Sequence, residues 1–186
     1  SEIASVSFAK GAPVRRLELP ITMKSLSLEQ LPYLTPANLV LEDVSGIHTI
    51  SVKGCPNLAN SFAWVKNWYD SKSTVDSKCT LIMDNVNWTG AAAEDLVNLA
   101  KIGTLDLKGK VVLESITLEQ INALIDAFGE SAFNRNSDFY IDAPDAIFVS
   151  GRTELLEGES EDYNCIVFGG EVTGITWTIV SGGNSS

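Results

Sequence analysis

The residues able to do chemistry are few and poorly matched to one another. The one histidine, His48, sits beside the Ser45-Gly46 turn and reads as a partly exposed turn residue rather than a general base. Cys55, Cys79 and Cys165 form an odd, widely spaced set without metal-ligand spacing. They read as buried thiols acting as small hydrophobes. Pairing of Cys55 with Cys79, both of which flank strands, stays open. Phe168-Gly169-Gly170 leads into a strand, not a helix, so it is no phosphate loop.

Carboxylates are the remaining candidates. Asp84 and Asp106 fall at comparable positions of adjacent strand units, and Glu42 and Asp43 belong to another. Two carboxyls about 5–9 Å apart could hydrolyse a glycoside. Nothing in the sequence signals a raised pKa, so the acids read as a solvated face. Asp138, Asp142 and Asp145 gather near one turn, and Glu159, Glu161 and Asp162 near another. Neither spacing is that of a calcium loop. The expectation is therefore no catalytic residue, no metal and no cofactor. Asn87-Trp88-Thr89 matches a glycosylation acceptor but reads as a turn and helix cap. A formal net charge of -11 over 186 residues repels phosphate backbones and argues against nucleic acid as a partner.

The elements that must position these residues centre on Cys79–Gly129. Cys79-Thr80-Leu81-Ile82-Met83-Asp84-Asn85-Val86 and Gly103-Thr104-Leu105-Asp106-Leu107-Lys108 alternate apolar with polar residues, and each precedes a helical pattern. Strand–helix–strand–helix order predicts parallel strands. The helices are expected over Leu58–Lys72, over Ala91–Ile102 with Thr89 as N-cap, and over Leu118–Phe128 ended by Gly129. Thr117 and Gln120 form a capping box, and Ile116 with Ile121 a hydrophobic staple. Ser25-Leu26-Ser27-Leu28-Glu29-Gln30-Leu31 echoes that cap and predicts a turn or two of helix, cut short by Pro32 and Pro36. Further strands are expected at Ile3–Phe8, Arg15–Leu19, Leu39–Val44, Ile50–Cys55 and Phe139–Ile141. The eleven-residue step from Leu39 to Ile50 is too short for a helix. It requires a hairpin, or two segments on opposite sides of a tight coil.

Leu39-Val40-Leu41-Glu42-Asp43-Val44, Ile50-Ser51-Val52-Lys53-Gly54-Cys55-Pro56-Asn57-Leu58, Leu81-Ile82-Met83-Asp84-Asn85-Val86 and Leu105-Asp106-Leu107 together resemble irregular bacterial leucine-rich repeats. The resemblance covers roughly residues 15–142. It implies an α/β fold: a short, irregular leucine-rich-repeat-like β/α solenoid with parallel strands, occupying residues 1–144. Repeat lengths are unequal, and Cys55 and Val86 stand where an asparagine ladder would run. Neighbouring units must stack, because one strand and one helix cannot bury their own apolar faces.

Composition shifts after Pro144, where helical patterns end. Ala146–Ser150, Leu155–Ser160, Asp162–Phe168 and Gly174–Val180 read as strands. Leu-Leu-Glu-Gly-Glu-Ser at 155–160 and Ile-Thr-Trp-Thr-Ile at 175–179 resemble the opening strands of a bacterial immunoglobulin-like domain. Residues 145–186 are accordingly expected to be a partial all-β segment, truncated before a full sandwich.

The outward side of the strands carries Glu18, Val40, Ser51, Ile82, Asp106 and Tyr140, a mixture suited to a recognition surface. The resemblances imply a non-enzymatic binding, adhesion or structural module that takes a protein or glycan ligand at a bacterial cell surface or outside the cell. A phage virion or fibre component, and an accessory region of a carbohydrate-active enzyme, are the alternatives. No apolar run approaches the roughly 20 residues of a membrane span. The chain lacks an initiator methionine and reads as processed or trimmed. Unpaired strand edges in the C-terminal segment are expected to join two copies in a homodimer. Light scattering after size exclusion tests this: concentration-dependent dimer is the expected result, and monomer alone at high concentration contradicts it.

Overall fold

The computed structural model describes residues 11–19, 23–41, 44–72, 78–151, 158–159, 162–169, 174 and 176. The chain divides after Pro144 into two compact units. The first is mixed α/β. Its strands are β1 (Leu17–Leu19), β2 (Ser25–Glu29), β3 (Leu39–Leu41), β4 (Thr49–Lys53), β5 (Cys79–Thr89), β6 (Gly103–Val112) and β7 (Phe139–Asp142). Its helices are α1 (Pro56–Ala59), α2 (Phe62–Asp70), α3 (Ala93–Lys101) and α4 (Leu118–Phe128).

Five strands form one parallel sheet in the order β2-β4-β5-β6-β7, and β1 pairs with β3 in a separate parallel pair. Every step across the large sheet follows the chain. Crossovers of uniform hand then leave their connections on one side. Burial agrees with this. Leu26, Leu28, Ile50, Val52, Leu81 and Met83 are essentially inaccessible, and they share one core with Val65, Trp68, Leu96, Leu99 and Leu124 of the helices.

The segment Ser25–Leu31 is a strand and a corner, not the expected helical turn. Its Leu26-x-Leu28 alternation buries both leucines in the sheet, which outweighs the capping pattern. The same six-residue form occurs three times. Leu26-x-Leu28-Glu29-Gln30-Leu31 is followed by Ile50-x-Val52-Lys53-Gly54-Cys55 and Leu81-x-Met83-Asp84-Asn85-Val86. In each copy the fifth residue is left-handed: Gln30 at φ 56°, Gly54 at 63° and Asn85 at 57°. The sixth, Leu31, Cys55 or Val86, returns to the core.

These corners are tied to one another. The Gln30 amide donates to the Lys53 carbonyl at 2.8 Å, the Gly54 amide to Asp84 Oδ1 at 2.9 Å, and the Leu31 amide to Cys55 Sγ at 3.4 Å. Cys55 Sγ also lies 3.6 Å from the Leu28 carbonyl. The thiol thus does the corner hydrogen bonding that a side-chain amide would otherwise do. Burial pushes its pKa up, with Asp84 and Glu29 adding to the effect against the Leu31 amide. It is a protonated, inert thiol at neutral pH. Cys55 and Cys79 are both buried and unpaired with each other.

Between Leu39 and Ile50 the chain makes no hairpin. β3 pairs with β1 and β4 with β2, so the two strands belong to different sheets and are not hairpin partners. The expected helix at 58–72 breaks at Asn60-Ser61 into α1 and α2. Trp68 is fully buried there, and its indole donates to the Ile47 carbonyl at 2.9 Å. Trp88 does the same to the Ala59 carbonyl at 2.7 Å. Both rings therefore tie a helical segment to a neighbouring part of the chain. Lys72, 8% exposed, donates to the Val44 and Ser45 carbonyls. Asn87-Trp88-Thr89 ends β5 rather than forming a turn, and the cap of α3 is Ala92, not Thr89. Around α4 the capping box of Thr117 with Gln120 is present at both bonds.

The second unit contains an antiparallel pair, β8 (Ala146–Ser150) with β9 (Asn164–Phe168). Most of the expected strands at 155–160 and 174–180, the expected strand at Ile3–Phe8, and Glu42, Asp43 and Glu161 lie outside the described residues.

Two substitutions separate corner geometry from core packing. Gly54→Ala places a side chain on a left-handed backbone and is expected to cost about 1–3 kcal/mol. Leu81→Ala empties a fully buried site and is expected to cost about 2–5 kcal/mol. Urea unfolding with an unchanged slope measures both, and a neutral Gly54→Ala contradicts the stacked corners.

Candidate functional site

The residues between the buried positions form the other face of the sheet. Strand register arranges them in rows. One row is Ser25, Thr49, Thr80 and Thr104. The next is Ser27, Ser51, Ile82 and Asp106. Glu29 pairs with Lys53 in a third, which Asp84 and Lys108 extend as the next residues of β5 and β6. A hydroxyl band therefore runs beside a band of alternating charge.

Beyond Met83 the register of β5 against β6 slips, because Asp84 and Asn85 occupy the space opposite one residue of β6. Such bulges bend a strand and re-aim its side chains. A hollow of about 210 Å³ lies here, lined by Lys53, Ile82, Met83, Asp84, Asp106 and Lys108. Past the bulge the rows continue as Asn87, Lys110 and Tyr140, then Thr89, Val112 and Asp142.

The structure brings together three of the six residues singled out in the sequence. Ser51, Ile82 and Asp106 are neighbours in one row. Glu18 and Val40 are register partners of each other in the β1–β3 pair, outside the large sheet. Glu18 is held by Arg16 at 2.6 Å. Tyr140 lies beside Lys110, in a row that does not contain Asp106. Ser25, Ser27 and Glu29 join the face because β2 is a strand. The period-two alternation of Ser25–Glu29 was the signal for them. The hollow itself depends on the bulge, whose sequence sign is Asn85, a residue type that tolerates left-handed backbone.

Asp84 is partly committed, since one of its oxygens accepts the Gly54 amide. Among the described residues no group of three or more histidine, cysteine or acidic side chains could hold a metal ion. No helix among them is long and apolar enough to cross a membrane. His48 is exposed, with its backbone bridging Lys24 and Thr80.

A second polar cluster joins α2 to α3. Lys66 Nζ reaches Asp70 at 3.0 Å, Asp95 at 3.2 Å and Tyr69 Oη at 3.2 Å, while Tyr69 donates to Asp95 at 2.9 Å. The carboxylate of Asp70, then Tyr69 and Asp95, raise the Lys66 pKa. Burial, followed by Asp95, pushes Tyr69 up to about 12 against the opposing effect of Lys66. Both shifts favour the protonated form. The cluster is a clasp between helices.

No family model matches this chain, and no curated protein or solved structure matches it either.

The clasp gives a pH prediction. A folded-state phenol pKa above the unfolded value means that its contribution is complete below about pH 10. The contribution declines as pH rises towards 12 and is lost above it. Absorbance titration of the tyrosinates is expected to show one late phenol near 12, which Asp95→Asn moves down. Four phenols titrating together near 10 contradict the clasp.

Proposed function

We propose that the protein is a non-enzymatic binding module, built as a short leucine-rich-repeat-like coil, that recognises a protein or glycan through the open face of its sheet. The supporting observation is the row Ser27, Ser51, Ile82 and Asp106, which crosses four strands in continuous register. Hydroxyls, one apolar side chain and a carboxylate supply hydrogen bonds and a small desolvated contact to a polar ligand. The rigid parallel ladder fixes their spacing before binding, which lowers the ordering cost. The flanking Lys53, Asp84 and Lys108 add charges of both signs around the hollow. A bacterial cell-surface or extracellular setting belongs to the same proposal, and so does an immunoglobulin-like character for the second unit.

Contact between copies is assigned to that second unit. In support, Ile147 and Val149 are 69% and 58% exposed on β8. They share a face with their register partners Val167 and Cys165.

Binding to glycan and protein arrays tests the face. Ser51→Arg and Asp106→Arg are each expected to weaken a ligand found with the unaltered protein by tenfold or more. Unfolding midpoints should move little, because neither side chain is part of the core. Unchanged binding by both variants contradicts recognition at this face.

A further inference from the structure

The sheet has an incomplete edge. β7 pairs only with the second half of β6, from Gly109 to Val112. The first half of β6 pairs with β5 on one side, and no strand among the described residues lies on its other side. The direction of its backbone groups follows from the ladder. The Cys79 amide donates to the Ile102 carbonyl, so the even-numbered groups of β6 face β5. The Gly109 amide donates to the Asp138 carbonyl at 2.7 Å, so the odd-numbered groups face the β7 side. The amides and carbonyls of Leu105 and Leu107 therefore point to that side, where the chain turns away at Ser137 and Asp138. Among the described residues they have no hydrogen-bond partner there.

A hollow of about 300 Å³ opens along this half-strand. Its walls include Leu105, Leu107, Phe128, Ala132 and Phe139, with the polar residues Ser131 and Ser137 among the others. The Phe128 and Phe139 rings lie 5.7 Å apart. A hollow with apolar side chains along the Leu105–Leu107 side and Asp106, Ser131 and Ser137 at its rim thus lies against a row of unpaired backbone donors and acceptors, on the line that β7 already follows.

We infer that this slot takes an extended segment of a partner protein, which adds to β6 as a parallel strand ahead of β7. Strand addition satisfies the Leu105 and Leu107 groups, and side-chain pockets then set specificity. Alternation fixes the pattern of the segment. Residues opposite Leu105 and Leu107 turn into the hollow and must be apolar. The residue between them lies on the open face beside exposed Asp106, within a chain of net charge -11, and is basic. The segment therefore reads apolar-basic-apolar. A free sugar cannot supply that row of amides.

This inference rests on the binding-module reading and shares Asp106 with it, so Ser51→Arg, which lies two strands away from the slot, is the open-face variant that lets the two fail separately. The probe is a displayed library of random octapeptides panned against the full chain, with Ser131→Trp as the counter-target. Ser131 is exposed at the hollow, and a tryptophan there blocks it without altering the core. The expected outcome is enrichment of apolar-basic-apolar peptides that bind Ser131→Trp at least tenfold more weakly. Methylating the backbone nitrogen of alternate peptide residues is expected to abolish binding in one phase of the alternation only. In the free protein the Leu105 and Leu107 amides should exchange with solvent about 100-fold faster than those of Thr104 and Asp106, and slow down on binding. No enrichment over Ser131→Trp, or binding indifferent to methylation, overturns the slot. If Ser51→Arg still loses the open-face ligand, the slot alone has failed. If it does not, the module reading fails with it.

Discussion

The structure depends on a stack of left-handed corners. Gln30, Gly54 and Asn85 each turn the chain at the same level of three consecutive strands of the sheet. The turn does two things. It ends the outward charged position and returns the next residue, Leu31, Cys55 or Val86, to the core. It also places an amide where the corner of the adjacent strand can accept it, through the Lys53 carbonyl, the Asp84 carboxylate or the Cys55 sulfur. A left-handed residue other than glycine costs roughly 1–2 kcal/mol. Hydrogen bonds to the corner of the next strand and burial of the sixth residue offset that strain. The corners cannot slip relative to one another without breaking these bonds, and the Leu31 amide and Cys55 thiol would then be left unpaired in the buried interior.

Once the corners are in register, the rest of the sheet follows. Alternation sends Leu26, Leu28, Ile50, Val52, Leu81 and Met83 inwards, where the helices cover them. It leaves the serine, threonine and charged residues of the other face in rows. The fixed row spacing is what makes that face a candidate surface for recognition. The third corner differs from the first two, because β5 continues past Asn85 as a strand for four more residues. That continuation creates the bulge and the small hollow beside it. It also carries the sheet on to the second half of β6, so that β7 joins late and leaves the first half bare.

Much of this was readable in the residues. Alternation in Cys79–Val86 and Gly103–Lys108 announced β5 and β6. The Thr117–Gln120 box and Gly129 bounded α4 correctly. Ser51, Ile82 and Asp106 were placed on one outward row because period two is insensitive to what lies between strands. Other features were not readable, for physical reasons. Ser25–Leu31 carries both a capping pattern and strict alternation, and only tertiary burial of Leu26 and Leu28 decides between them. Glu18 and Val40 obey the same alternation as Ser51, yet a second sheet claims them, and local pattern does not encode sheet membership. Cys55 reads from the sequence as a missing ladder residue, because its hydrogen bonding requires the Leu31 amide after the preceding strand. The bare half of β6 is set by where β7 enters, which depends on α4 and the turn after it.

The central claim is that the six-residue corners stack in parallel register. Interstrand backbone nuclear Overhauser contacts in the isotope-labelled protein measure this most directly. The account predicts contacts linking Ser27 to Ser51, Ser51 to Ile82 and Ile82 to Asp106, all in parallel sense, with Gln30 against Lys53 at the corner. Antiparallel contacts among these strands, or a register displaced by one residue, would contradict it.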